Sequence, residues 1–118
     1  MIAVIDYGVG NLFSLSASLK YIGAESAVTS DRAVIENSSA IILPGVGAFA
    51  DAYKKLEESG LIPVLLKQVG RGKPVLGICL GMQLLFEKSY EYGEHAGLGL
   101  IPGEVCPIAP DLKERLKV

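Results

Sequence analysis

At 118 residues, 50% of them hydrophobic, the chain has the length of one ordinary domain and enough apolar material for a single core. Its 11 basic and 13 acidic residues leave a formal charge of −2, so no broad cationic face is expected and nucleic acid is excluded as a partner. The opening MIAVIDYGVG has no basic leader and reaches Asp6 after a few apolar residues, and no stretch suits a membrane span; a cytoplasmic protein is expected.

The first element in chain order is MIAVI, a continuous apolar run of the kind found where both faces of a sheet are covered. DYGVGN follows as a bend. Asn11 is placed to cap a helix over LFSLSASLKYIG, in which Leu12, Leu15, Leu19 and Ile22 recur at helical spacing and Gly23 supplies the stop. ESAVTS reads as a second strand, Asp31 to Asn37 as a short helix or turn, and SAIILPG as a third strand ended by Pro44 and Gly45. Gly60 and Pro63 divide the next stretch into a helix from Phe49 to Ser59 and a second beginning near Ile62.

Pro74 to Ile78 is the fourth strand, and LGMQLLFEKSYEY, with Leu80, Leu84 and Leu85 spaced for a helix, predicts a helix through Tyr92. Beyond Gly93, GEHAGLGLIPGEVCPIAP fits short strands or turns, and DLKERLKV carries charge with scattered apolar positions. Strands alternating with helices imply an α/β fold: a doubly wound, mostly parallel open sheet, flavodoxin-like, with its site beyond the carboxyl ends of the strands.

The bends are therefore where chemistry is sought. Gly77-Ile78-Cys79-Leu80-Gly81 sets a cysteine between glycines at a strand-to-helix turn, the thiol version of a nucleophile elbow, which lifts the side chain clear of the sheet. The helix that follows aims its positive end at the sulfur and favours the nucleophilic thiolate. The competing reading is an inert buried cysteine in an apolar strand. Cys106, between Val105 and Pro107, lacks any such setting. No metal-ligand spacing is present, neither cysteine is expected in a disulfide, and no cofactor is expected.

The bend PGVG, Pro44 to Gly47, lets backbone N–H groups of Val46 or Gly47 share a site with that of Leu80, and two such donors make an oxyanion hole. Alone it would be a plain strand-terminating turn. GVGN after the first strand invites a dinucleotide or flavin reading, but the third glycine of that fingerprint falls on Phe13.

Four blocks in order, AVIDYGVGNLFS, ILPGVGAF, GICLGMQLLFE and GLGLIPGEV, resemble the N-terminal part of a class I glutamine amidotransferase, specifically the glutaminase subunit of imidazole glycerol phosphate synthase. Met82 stands where many other class I amidotransferases have histidine, and DYGVGN is typical of the histidine-pathway subunit. The resemblance implies Cys79 as the nucleophile, backbone donors at Val46 or Gly47 and at Leu80, Gln83 near the substrate L-glutamine, and a cyclase subunit as partner in histidine biosynthesis.

In that family a His-x-Glu pair late in a longer domain completes the triad. This sequence has no such pair, and its one histidine, His95, reads as a surface loop residue. Residues 1–118 are thus expected to be the N-terminal portion of a single amidotransferase domain, incomplete on its C-terminal side, with an unpaired sheet edge and no turnover alone. The alternative is a non-catalytic module that docks on the cyclase through Tyr7 to Asn11 and Pro44 to Gly47.

Overall fold

The computed structural model describes residues 1–111. A parallel sheet of β1 (Ile2–Ile5), β2 (Ser26–Thr29), β3 (Ala40–Leu43) and β4 (Val75–Gly77) has the order β2-β1-β3-β4. Between the strands run α1 (Leu12–Tyr21), α2 (Arg32–Asn37), α3 (Phe49–Glu58) and α4 (Ile62–Gly70).

The period-two alternation of the strands divides the core. Ala3, Ile5, Ile41 and Leu43 pack with Ile35, Phe49, Leu56 and Leu65 from α2, α3 and α4, while Val4 and Ile42 pack with Leu19 of α1. Helices on both faces explain why MIAVI and AIIL are apolar at every position, and the architecture is the doubly wound α/β fold expected from the sequence.

Two local signals act as read: Asn11 Oδ1 accepts from the Ser14 N–H at 3.1 Å, and Pro63 lies in the first turn of α4. Asp31, expected as the first residue of a helix or turn, is instead the cap of α2, its Oδ1 accepting from the Ala33 N–H at 2.8 Å. Ile22 departs from its helical spacing: α1 ends at Tyr21, so Ile22 becomes the cap residue and is 73% exposed.

The larger correction concerns residues 80–92. The helix α5 covers only Leu80–Leu84, and the chain then turns into β5 (Phe86–Ser89), the centre of a second sheet with β6 (His95–Ala96) antiparallel and β7 (Ile101–Val105) parallel to it. Pairing with β6 and β7 satisfies the backbone of Phe86 to Ser89 in a way local spacing does not reveal. Gly97 permits that pairing, since a Cβ there would strike the Phe86 carbonyl oxygen. The strands or turns expected beyond Gly93 are these. The reading of DLKERLKV falls, from residue 112 onward, outside the described residues.

Among the described residues β4 pairs only with β3, and Leu76 is 57% exposed, the open edge foreseen from the sequence.

Lys73 ties the return to β4 onto α2. Its ammonium donates to the carbonyls of Ile35 and Glu36, each at 2.9 Å, at the C-terminal end of that helix. Lys73→Met is expected to cost about 1–2 kcal/mol in urea unfolding, since it orphans carbonyls held by a charged donor; a change below about 0.3 kcal/mol would mean that these bonds only replace equivalent bonds to water.

Candidate active site

β4 ends in the bend that holds Cys79. Cys79 is exposed and adopts φ 57°, ψ −121°, a left-handed backbone rarely tolerated by a residue with a Cβ. The bend is locked from both sides by glycines. A Cβ on Gly77 would lie 2.6 Å from Met82 Cα, and one on Gly81 would overlap the end of β3, 2.7 Å from the Leu43 carbonyl carbon. Cys79 is thus exposed, not buried in an apolar strand.

The second bend lies directly against the first. Ile78 N–H donates to the Leu43 carbonyl at 3.0 Å, and Leu80 N–H to the Gly45 carbonyl at 3.2 Å. Gly45 fits because it lacks a side chain, its missing Cβ being 2.8 Å from both Gly81 N and Tyr7 Oη. The Leu80 donor anticipated for an oxyanion is thus occupied by a carbonyl. Every peptide bond described is trans, so a Gly45 carbonyl facing Leu80 turns the Val46 N–H away. Val46 and Gly47 instead line a cavity of about 430 Å3 with Gly8, Val9, Gly10 and Lys55.

Tyr7, at the carboxyl end of β1, donates its hydroxyl to the Pro44 carbonyl at 2.5 Å and is 6% exposed. Burial pushes its phenol up from 10.0 to about 12. Because the folded value is raised, the stability contributed by the neutral phenol is fully present below pH 10.0 and is lost as pH rises through about 12.

Gln83 lies on α5 and lines a smaller cavity of about 270 Å3 with Tyr90, Glu91, Val105 and Cys106. Burial, with Glu104 next, raises the Tyr90 phenol above its ordinary value. Glu91 was not singled out from the sequence, where it lay hidden in the expected helix. Its Oε1 accepts from the Phe49 N–H at 3.0 Å and supplies the cap that Ala48 at the start of α3 does not. Glu91 thereby ties the cavity of Gln83 to the start of α3. His95 sits in β6 with Nε2 3.1 Å from the Tyr92 carbonyl oxygen and lines neither cavity.

A family model described as glutamine amidotransferase class-I matches residues 3–105. The imidazole glycerol phosphate synthase subunit HisH of Lacticaseibacillus casei (strain BL23) is 51% identical over 111 residues, 94% of this chain and 53% of that protein. The subunit of the same name from Aquifex aeolicus (strain VF5) is 56% identical over 103 residues, 86% of this chain and 50% of that one. That from Bacillus cereus (strain ATCC 14579) is 59% identical over 105 residues, 89% of this chain and 50% of that one. The chain thus spans about half the length of the curated relatives it matches. A solved crystal structure of a glutamine amidotransferase shares the fold with a TM-score of 0.76 at 24% identity, over 96% of this chain and 60% of that one. From the first strand to the end of β7, through both bends that meet at Cys79, the match is continuous, and the chain belongs to the class-I glutamine amidotransferase family.

Proposed function

We propose that this chain carries the nucleophile of a glutaminase that supplies ammonia to the cyclase subunit of imidazole glycerol phosphate synthase in the cytoplasm, as a heterodimer serving histidine biosynthesis. The observation that carries the proposal is the exposed Cys79 on its left-handed bend, fixed by Gly77 and Gly81 against the end of β3. The Cys79 thiolate attacks the side-chain amide carbon of L-glutamine, ammonia leaves, and water hydrolyses the thioester. Gln83 and Glu91 are suited to the amino-acid end of the substrate, Glu91 with a carboxylate for its ammonium.

The tetrahedral intermediate needs the donor that Gly45 now occupies. Rotation of the Gly45–Val46 peptide would free the Leu80 N–H and turn that of Val46 toward the same point, completing the hole. An imidazole to protonate the amide nitrogen as it departs as ammonia and a carboxylate to orient that imidazole are also required, and His95 is committed elsewhere; residues outside these 118 supply them in this reading.

Acylation can be tested without that imidazole by using the γ-(p-nitrophenyl) ester of L-glutamate, whose phenolate leaves unprotonated. The expected result is a burst of p-nitrophenolate with the γ-glutamyl group mapped to Cys79, slowed by glutamine and absent with the D ester. Equal labelling of Cys79 and Cys106, or no preference between enantiomers, would overturn the reading.

A further inference from the structure

The loop DYGVGN belongs to no step of the chemistry above, yet it is built onto the bend that must move. Tyr7 is the residue before Gly8, its side chain is buried, and its hydroxyl holds the Pro44 carbonyl. Gly10, with φ 110°, brings the same loop over the ring of Pro44, where an added Cβ would lie 3.1 Å from Pro44 Cβ. Two successive carbonyls of the bend are therefore pinned by different partners: that of Pro44 by Tyr7, and that of Gly45 by the Leu80 N–H.

These two bonds differ in kind. The Gly45 bond must break for the 45–46 peptide to rotate, whereas the Pro44 bond lies one peptide earlier and need not. Proline fixes its own φ, so with the Pro44 carbonyl also held, rotation is confined to ψ of Gly45 and φ of Val46. A flip confined to two torsions returns the Val46 N–H to one position. A bend free at Pro44 would deliver the donor to a range of positions, and oxyanion stabilisation falls steeply with donor misplacement.

We infer that Tyr7 is a positioning residue for the acylation step, acting as the fixed pivot on which the Gly45–Val46 peptide turns, and that the loop from Gly8 to Gly10 serves as its brace. This rests on the glutaminase reading of Cys79. Burial keeps the Tyr7 phenol neutral, with its value at about 12, so the donor persists at any pH at which acylation is measured.

The test compares two reactions of Cys79 in Tyr7→Phe. Transfer from the γ-(p-nitrophenyl) ester of L-glutamate forms a C–S bond, breaks a C–O bond with loss of p-nitrophenolate, and passes through an oxyanion. Alkylation by iodoacetamide displaces iodide directly and needs no oxyanion donor. Phenylalanine keeps the volume of the site, and melting curves establish that both proteins are folded. The expected result is about a tenfold fall in the saturating acylation rate, with half-saturating ester concentration and alkylation rate unchanged. Gly10→Ala, which pushes on the same proline from the loop, should give the same selective loss. In alkaline unfolding, the stability difference between wild type and Tyr7→Phe should shrink between pH 10.0 and about 12.

An unchanged acylation rate in a folded Tyr7→Phe overturns the inference and leaves the glutaminase reading standing. Equal falls in acylation and alkylation assign Tyr7 a merely structural role and overturn it as well. A wild-type protein that alkylates but never acylates removes the glutaminase reading, and the inference with it.

Discussion

Gly81→Ala is expected to destabilise the protein by about 3–5 kcal/mol, a large part of the stability of a marginally stable domain. The cause is steric alone. Gly81 is buried, and the added Cβ would meet the Leu43 carbonyl group and, at 2.9 Å, the Pro44 carbonyl carbon. Every one of these atoms is backbone, so no rotamer change relieves the overlap. Relief requires the end of β3 to draw away from the bend after β4, which breaks the Ile78–Leu43 and Leu80–Gly45 bonds at about 1 kcal/mol each and adds an overpacking cost of about 1–3 kcal/mol. Gly70→Ala is the control: it ends α4, a Cβ there meets nothing within 4 Å, and its effect should lie within about 0.5 kcal/mol of zero or stabilise slightly. Urea midpoints for the three proteins decide the matter. A Gly81→Ala protein as stable as the Gly70→Ala control would mean that β3 and the Cys79 bend are not in contact as described.

The same contact shows what was legible in the sequence. The strands Ile2–Ile5 and Ala40–Leu43 could be read because burial on both faces leaves a local mark, an unbroken apolar run. The Cys79 bend could be read because its signature is local: the glycines that let it pack against Met82 and the end of β3 stand two residues away on either side. What failed was read from spacing where a distant partner decides. Leu80, Leu84 and Leu85 do start a helix, but β5 exists because Ile101–Val105 and His95–Ala96 come back to pair with it. Glu91 reaches Phe49 across 42 positions, and Tyr7 reaches Pro44 across 37. Neither pair has any periodic signature. The engagement of the Leu80 N–H by the Gly45 carbonyl was equally hidden, because peptide orientation at Gly45 leaves no trace in residue type.

Cys79→Gly is expected to abolish acylation and to make the protein more stable. On the proposed glutaminase reading the loss follows from removal of the attacking sulfur, and a fall of at least 10³-fold is the order seen when a covalent nucleophile is deleted. The gain follows from the backbone. At φ 57° and ψ −121° a side chain costs about 1–3 kcal/mol, which glycine does not incur. Glycine also loosens the unfolded chain, an opposing effect of about 0.5–1 kcal/mol, so a net gain of about 1 kcal/mol remains. No core packing is forfeited, because Cys79 is exposed. For a domain of this size that gain corresponds to a rise of about 4 °C in the melting temperature. Cys79→Ala separates the two effects, since it removes the sulfur but keeps the Cβ, and it should lose acylation equally without the rise. If Cys79→Gly melts no higher than Cys79→Ala, the bend is not strained, and its unusual torsions carry no stability that the chain has given up to present a thiol. If the rise appears, the position is one where the residue best for the fold and the residue needed for the chemistry differ, as a site placed for reactivity requires.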